Sequence, residues 1–460
     1  MVEGLKPQIK IIDSVFSEAN LEAIKLISPL LKYKSKFYKR KVFGGGETQI
    51  QTKYLFIGRS RNKKLFYSGF IRTIKKKFRE IEIVGKLEKL KPDTKTPKIP
   101  GITLREDQIN ANRKMRLKQR GIVLFPTGSG KTIIMLGFIS MFKSYRILIL
   151  CHTIDLLNQI SEELEKAGYV HHVFGGGRKF DFSKIAKLNR SILLATDKSF
   201  VKLNPELWSA YFDITLVDEA HHATNQNINY GKIMEVNQSP VKIGFTATIP
   251  TDTYRRLIIE GYFGPVIAEL TGKEKDQIIA EARVELIAVP KSDKLVNVRS
   301  YRDIYNKGIV ENNVRNRLII EESLKSIKID EQVLIIVERV EHGMILKNFF
   351  REKNISCPFV QGQENEAYRN KIKRRLLSKE LMVAISTKVW REGINIPTLN
   401  HIIFASGGKD EIAIRQAMGR GLRLAKGKSS IHLTDFMDPY RYLAEHSIQR
   451  FTVYKSLKWI

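Results

Sequence analysis

The stretch GIVLFPTGSGKTIIMLGFI, residues 121–139, decides how the rest of the chain is read. An apolar strand leads into a loop with two glycines, and Lys-Thr then opens an apolar helix. Phosphate binding needs that order. Gly128 and Gly130 let the backbone turn its N–H groups inward, and the helix N-terminus adds positive potential. Thr127, Gly128, Ser129 and Gly130 thus form a cradle for phosphates. Lys131 is placed to reach the β- and γ-phosphates of a nucleoside triphosphate, and the Thr132 hydroxyl to hold Mg²⁺. The strict form of the loop carries Gly or Ala where this chain has Phe125. The alternative, a chance turn, conflicts with the strand before it and the helix after it.

Downstream, ITLVDEAHHA (residues 214–223) ends an apolar strand in two adjacent carboxylates. A lone Asp-Glu pair is usually a solvated loop; after a phosphate loop and at the end of a buried strand it reads as a hydrolytic site. Asp218 is placed to bind Mg²⁺ through water, and Glu219 to orient or deprotonate the attacking water. His221 and His222 invite a metal reading, but no third ligand has suitable spacing.

Around these segments the chain has a regular rhythm. From Ile102, short apolar runs (GIVLF, RILIL, SILLAT, ITLVDEA, KIGFTAT) alternate with longer helical stretches, as buried parallel strands with crossover helices do. The rhythm breaks near residues 268–310 and resumes with VLIIVE, MVAIST, HIIFAS and SIHLTDF. The fold class expected is α/β, with two tandem parallel-sheet domains. Before them, KYKSKFYKRKVF, TQIQTKYLFIG and KKLFYSGFI alternate apolar and basic residues like half-buried strands. SEANLEAIKLISPL reads as a helix opened by a capping pattern at Ser17. A Pro-containing linker is expected near residues 91–101. The expected organisation is a small basic α+β domain at 1–95, α/β domains at 101–275 and 295–445, and a terminal helix at 446–460 packed on the second.

Composition narrows the partner. The 460 residues carry a formal net charge of +31, and the first hundred hold 24 Lys/Arg against nine Asp/Glu. Clustered cations gain affinity for a polyanion by releasing its counterions, so nucleic acid is the expected partner. The alternative is a Lys-rich surface that only confers solubility. No window has the roughly 18 uninterrupted apolar residues of a membrane span. The N-terminus lacks a signal-peptide core, and only Cys151 and Cys357 are present, far apart. The expectation is a soluble protein of a bacterial or phage-infected cytoplasm, with no membrane and no disulfide-linked partner. The glycine runs at 43–46 and 174–177 read as turns.

Taken in order, the segments resemble a superfamily 2 helicase, closest to the branch of phage UvsW-type, XPB-type and type III restriction-like ATPases, over roughly residues 102–440. LREDQ is similar to the adenine-recognising Q motif, with Gln108 as base reader. PTGSGKT matches the phosphate loop and DEAHH the carboxylate motif. LILCHTIDLLNQ and LLATDKSF resemble segments that grip the nucleic-acid backbone. GFTAT resembles the Thr-Ala-Thr segment, in which Thr246 and Thr248, with His221, link hydrolysis to DNA contact. ISTKVWREGINIP is similar to motif V, with Gly393 and Asn395 facing the nucleotide, although the family often has Asp where Asn395 stands. QAMGRGLR fits the Gln-x-x-Gly-Arg-x-x-Arg motif through Gln416, Arg420 and Arg423.

The resemblance implies two RecA-like domains, with ATP and Mg²⁺ on the first and Arg420 and Arg423 arriving from the second as arginine fingers. The alternative for either arginine alone is a backbone phosphate of DNA. The implied activity is ATP hydrolysis coupled to DNA unwinding or branch migration on duplex or branched DNA: forks, Holliday junctions or R-loops, in recombination, repair or replication. Alternatives are the translocase subunit of a restriction or defence complex, an RNA helicase, or a passive clamp that uses ATP only as a switch. The clamp predicts degraded catalytic positions, yet Lys131, Asp218, Glu219, Arg420 and Arg423 are all present.

Overall fold

In the computed structural model, the residues described are 6–40, 46–58, 62–126, 128–270, 281–291, 295, 298, 300–387, 390, 396, 398–408, 430–456 and 459–460. The chain divides into two compact units, the first built from residues 1–126 and 130–270 and the second from residues 127–129 and 271–460.

The basic N-terminal segment begins the first unit. Strands β1 (Gln8–Ile11), β2 (Phe16–Asn20), β5 (Lys63–Tyr67) and β6 (Glu82–Val84) form a sheet in the order β5-β2-β1-β6. Strands β3 (Lys32–Arg40) and β4 (Gly46–Tyr54) form a separate antiparallel hairpin. Helix α1 (Leu21–Ile27) starts later than the capping pattern at Ser17 suggests. Ser17 lies within β2, paired with β1 and β5, and its buried hydroxyl meets that of Ser68 at 2.8 Å. Pairing on both edges outweighs the local cap, and Asn20 takes the capping role, accepting from the Ala23 N–H at 3.0 Å.

The Pro-containing segment after this module is pinned along its length. Leu90 exchanges two hydrogen bonds with the Gln119 carboxamide, the Lys91 carbonyl accepts from Tyr145 Oη, and the Lys98 N–H donates to Ser140 Oγ. The module itself shares an apolar core with the α/β part of the first unit, in which Phe66, Tyr67 and Phe70 pack with Leu257, Ile258, Tyr262 and Phe263. The Tyr67 hydroxyl donates to Glu235 and accepts from the Gln226 amide, and Tyr262 donates to the same Glu235 oxygen at 3.0 Å.

The rest of the first unit is a wholly parallel seven-stranded sheet. Its strands are β7 (Arg120–Leu124), β8 (Arg146–Cys151), β9 (His172–Phe174), β10 (Ser191–Thr196), β11 (Ile214–Val217), β12 (Val241–Thr246) and β13 (Val266–Glu269). The order is β13-β7-β12-β11-β8-β10-β9. Every residue of β10, β11 and β12 is buried, which is why they read as unbroken apolar runs instead of alternating patterns. Helices cross between strands; among them are α2 (Ile71–Lys77) in the module, then α3 (Glu106–Lys118), α4 (Lys131–Ser140) and α5 (Ile154–Lys166).

The second unit holds a six-stranded parallel sheet of β14 (Glu281–Ala288), β15 (Gln332–Ile336), β16 (Phe359–Val360), β17 (Val383–Ser386), β18 (Leu399–Phe404) and β19 (Ser430–Met437), ordered β14-β19-β18-β15-β17-β16. The terminal helix, Arg441–Ser456, is fixed to it by charge: buried Arg450 donates to Asp435 at 2.7 Å, and the Tyr454 hydroxyl to the same carboxylate at 2.8 Å. No helix among the described residues is long and apolar enough to cross a membrane.

The module meets the helix Thr253–Phe263 backbone to backbone at a glycine. A Cβ on Gly69 would lie 2.3 Å from the Gly261 carbonyl oxygen and 2.4 Å from that of Glu260. Backbone on both sides cannot yield cheaply. Gly69→Ala is expected to destabilise the chain by about 1–3 kcal/mol, read as a lower urea midpoint at unchanged slope.

Candidate functional site

Strands β7, β12 and β11 lie side by side, so the loops that leave their carboxyl ends are neighbours. The first is the glycine loop. Phe125 N–H donates to the Thr246 carbonyl at 3.0 Å, extending the β7–β12 pairing one residue past the strand. Beyond it, Gly128 and Gly130 adopt φ of 85° and 88°, the left-handed region that makes glycine the fitting residue. Gly130 caps α4, whose residues from Ile134 to Ser140 are buried against the sheet. Lys131 Nζ donates to the Phe125 carbonyl at 3.3 Å, so its ammonium lies along the loop that precedes it. Thr132 stands half-buried in the same first turn, and Ser129 is buried within the loop.

Gln108 is 2 % exposed beside this loop. Its carboxamide oxygen accepts from the Arg105 N–H at 3.1 Å, closing a capping box at the start of α3. A Cβ on Gly130 would lie 2.7 Å from Gln108 Nε2, a second reason for glycine there.

The second loop leaves β11. The Asp218 N–H donates to the Leu150 carbonyl at 2.8 Å, and the Asp218 carboxylate accepts from the Glu219 N–H at 3.0 Å. Glu219 itself sits at φ 49°, ψ 49°, a left-handed conformation rare for a side chain of this kind. Such strain persists only where the surroundings hold it, as they do at functional sites. Here Tyr230 Oη donates to the Asp218 carbonyl at 3.1 Å, and the His222 N–H to the Glu219 carbonyl at 3.0 Å.

The two carboxyls are buried next to each other, and their protonation is set by their neighbours. Burial raises the Asp218 carboxyl well above the usual carboxylate range, and the adjacent Glu219 charge adds to the rise. Burial pushes Glu219 the same way, but the Lys131 ammonium and the His221 N–H outweigh it and hold Glu219 low. The neighbours thus drive the two carboxyls apart, Asp218 upward and Glu219 downward.

The third loop leaves β12 and carries Thr246 and Thr248. Thr246 Oγ1 donates to the Thr248 carbonyl at 2.8 Å and accepts from the Thr248 N–H at 3.2 Å. A hydroxyl has one proton, so the 3.0 Å contact from His221 Nδ1 to Thr246 Oγ1 must have the ring as donor. The same Nδ1 lies 3.2 Å from Glu219 Oε2. The imidazole thus hydrogen-bonds the hydroxyl after β12 while lying against the carboxylate after β11.

Sequence reasoning missed the rings beyond His221. His222 packs at a tilt against His221, 4.3 Å between ring centroids, and stacks on His152 at 4.2 Å, and His152 Nδ1 lies 3.5 Å from Asp197 Oδ2. His152 comes just after β8 and Asp197 just after β10, the two segments singled out only as backbone grips. No spacing rule brings them to the carboxylate motif; the strand order does. Turn glycines 175–177 sit against the same region, a Cβ on Gly175 meeting Thr196 Oγ1 at 2.9 Å.

Lys131, Thr132, Gly128, Ser129, Gly130, Gln108, Asp218, Glu219, His221, Thr246 and Thr248 belong to this one cluster of loops. Thr127, Gly393, Asn395, Gln416, Arg420 and Arg423 lie outside the described residues. Among the described residues no group of three or more His, Cys, Asp or Glu could hold a metal. That suits Mg²⁺, which a phosphate chain, one hydroxyl and one carboxylate can hold without a protein cage. Asp218, buried and short of compensating charge, fits such a cation.

The chain is similar to known proteins over much of its length. Residues 101–251 match the family described as type III restriction enzyme, res subunit, and residues 315–425 the helicase conserved C-terminal domain. The ATP-dependent DNA helicase uvsW of Enterobacteria phage T4 is 23% identical over 372 residues, 75% of this chain and 73% of that protein. The DNA 3'-5' translocase XPB2 of Sulfurisphaera tokodaii is 24% identical over 363 residues, 70% of this chain and 79% of that protein. The structure of S. cerevisiae Dbp5 bound to RNA and ADP BeF3 shares the fold with a TM-score of 0.57 at 16% identity, over 77% of this chain and 88% of that one. Both parallel-sheet domains are RecA-like, and the chain is similar to a DNA helicase and a DNA translocase over most of its length.

Proposed function

We propose that the chain is an ATP-driven DNA helicase or translocase that remodels duplex or branched DNA, such as forks, four-way junctions and R-loops. The observation that carries the reading is the His221 ring, hydrogen-bonded to Thr246 on the neighbouring strand end and 3.2 Å from Glu219 beside the phosphate loop. Relatives named as a DNA helicase and a DNA translocase support DNA as the polymer, and the excess of cations in residues 1–95 supports that domain as a second DNA-binding element. The workplace that goes with it is the cytoplasm of a bacterial or phage-infected cell.

In this reading the triphosphate lies on the N–H groups of residues 127–130, with Gln108 at the adenine edge and Gly393 and Asn395 toward the nucleotide. Lys131 neutralises the β- and γ-phosphates. Bound Mg²⁺, held through Thr132 and Asp218, supplies charge stabilisation to the phosphate oxygens. Glu219 orients a water and takes its proton as the water oxygen bonds to the γ-phosphorus and the bond to the β–γ bridging oxygen breaks, leaving ADP and phosphate. Arg420 and Arg423 place positive charge on the transferring group, and Gln416 hydrogen-bonds beside them. His221, Thr246 and Thr248 pass the change at Glu219 to the DNA-facing loops.

A second reading, the translocase subunit of a restriction or defence complex, is favoured by the family matched at residues 101–251. Copurification with a nuclease or methylase would select it.

Glu219→Gln is expected to lower ATP turnover by ~10²–10⁴ while nucleotide and DNA binding persist; unchanged turnover would remove Glu219 from its role. Arg420→Ala is expected to cost ~10³–10⁵ in turnover, measured at saturating ATP. The reading as a whole is tested by ATPase and unwinding on single-stranded, duplex, forked, four-way and RNA–DNA hybrid substrates. Branched DNA is expected to be unwound best, and preference for RNA alone would refute it.

A further inference from the structure

At the amino ends of β7, β12 and β13, the end of the sheet away from the phosphate loop, lies a cavity of about 200 Å³. Its walls come from α2, from the segment after β6, and from the α3–β7 turn, and they bring together Arg72, Lys75, Lys89, Lys118 and Arg120 against one carboxylate, Glu88. Arg120 is only 6% exposed. Its two Nη atoms donate to the carbonyls of Ser14 (2.6 Å) and Tyr262 (2.8 Å), and its Nε has no hydrogen-bond partner among the described residues. Arg72 donates to the carbonyls of Arg120 (3.2 Å) and Lys118 (2.7 Å). Neither guanidinium is in an ion pair among the described residues, and burial, then the charge of Arg72, pull Arg120 down to about 10.

Carbonyl dipoles can hold these guanidiniums in place, and the Leu117 carbonyl accepts from Lys89 Nζ at 3.3 Å, but dipoles do not neutralise the lysine charges. Lys75, Lys89 and Lys118 come from three separate segments and are exposed at the cavity, where like charges repel unless an anion lies among them. At about 200 Å³ the space is smaller than the roughly 300–1,000 Å³ of drug-sized ligand sites, so it suits a phosphate group better than a base. Lys76 and Lys77 continue the charge along the last turn of α2, which suits a chain of phosphates more than a single one.

We propose that this cleft binds a backbone phosphate of nucleic acid, giving the chain a contact remote from its ATP site. The proposal rests on the reading above that the protein binds DNA. Contacts of this kind fix position without reading sequence.

The test uses the full chain and a forked DNA. Lys75→Glu, Lys89→Glu and Lys118→Glu, combined, are expected to weaken binding at least tenfold at low salt and to reduce the slope of log affinity against log salt by about 2–3. Lys328→Glu, Lys347→Glu and Lys353→Glu, the same change in net charge on exposed lysines of the second unit, should leave the slope within about one of the unaltered protein. Independently, forked DNA should protect Lys75, Lys89 and Lys118 of the unaltered protein from acetylation. Equal slopes for the two triple variants, or unprotected lysines, overturn the cleft while leaving DNA binding intact. Protection by inorganic phosphate but not by DNA overturns it in favour of a free-anion site. Failure of the unaltered protein to bind forked DNA overturns the proposed function as well.

Discussion

The constraint on which the rest depends is the burial of two adjacent carboxyls at the end of β11. Asp218 and Glu219 are 6% and 9% exposed, and two anions cannot share so dry a place without compensation. The compensation comes from neighbours in space: Lys131 from the loop after β7, and the N–H of His221. Strand order β7-β12-β11 makes both available, and the left-handed turn at Glu219 aims the carboxylate toward them. Remove the parallel sheet and the cluster has no reason to exist.

That arrangement sets one imidazole between the carboxylate and the hydroxyl. Because Thr246 spends its own hydrogen on the Thr248 carbonyl, His221 donates to Thr246, and the same Nδ1 lies 3.2 Å from Glu219. Under the proposed mechanism, a change of charge beside Glu219 shifts that ring, and the loop after β12 feels it. The stacked rings of His222 and His152 extend the same contact to Asp197, so the segment after β8 touches the carboxylate motif directly and the segment after β10 through His152.

The phosphate loop, the carboxylate pair and the parallel strands were legible in the sequence because each is written in local terms. Glycines mark backbone that must turn, and unbroken apolar runs mark strands buried on both faces. The features that escaped are set by contacts distant in the chain. Ser17 looks like a cap until two partner strands claim it. The Pro-containing segment looks free, yet Gln119, Ser140 and Tyr145 hold it. Tyr67 gives no sign that it bonds Glu235, and the merged core of module and main sheet arises from such pairs. The His152–His222 stack is equally silent, since no periodicity joins positions so far apart.

The central claim is that the His221–Thr246 link connects hydrolysis to DNA. Steady-state ATP hydrolysis by Thr246→Val, with and without forked DNA, tests it most directly. The account predicts a DNA-free rate within a few-fold of the unaltered protein and a loss of stimulation by DNA. Stimulation equal to that of the unaltered protein would contradict it.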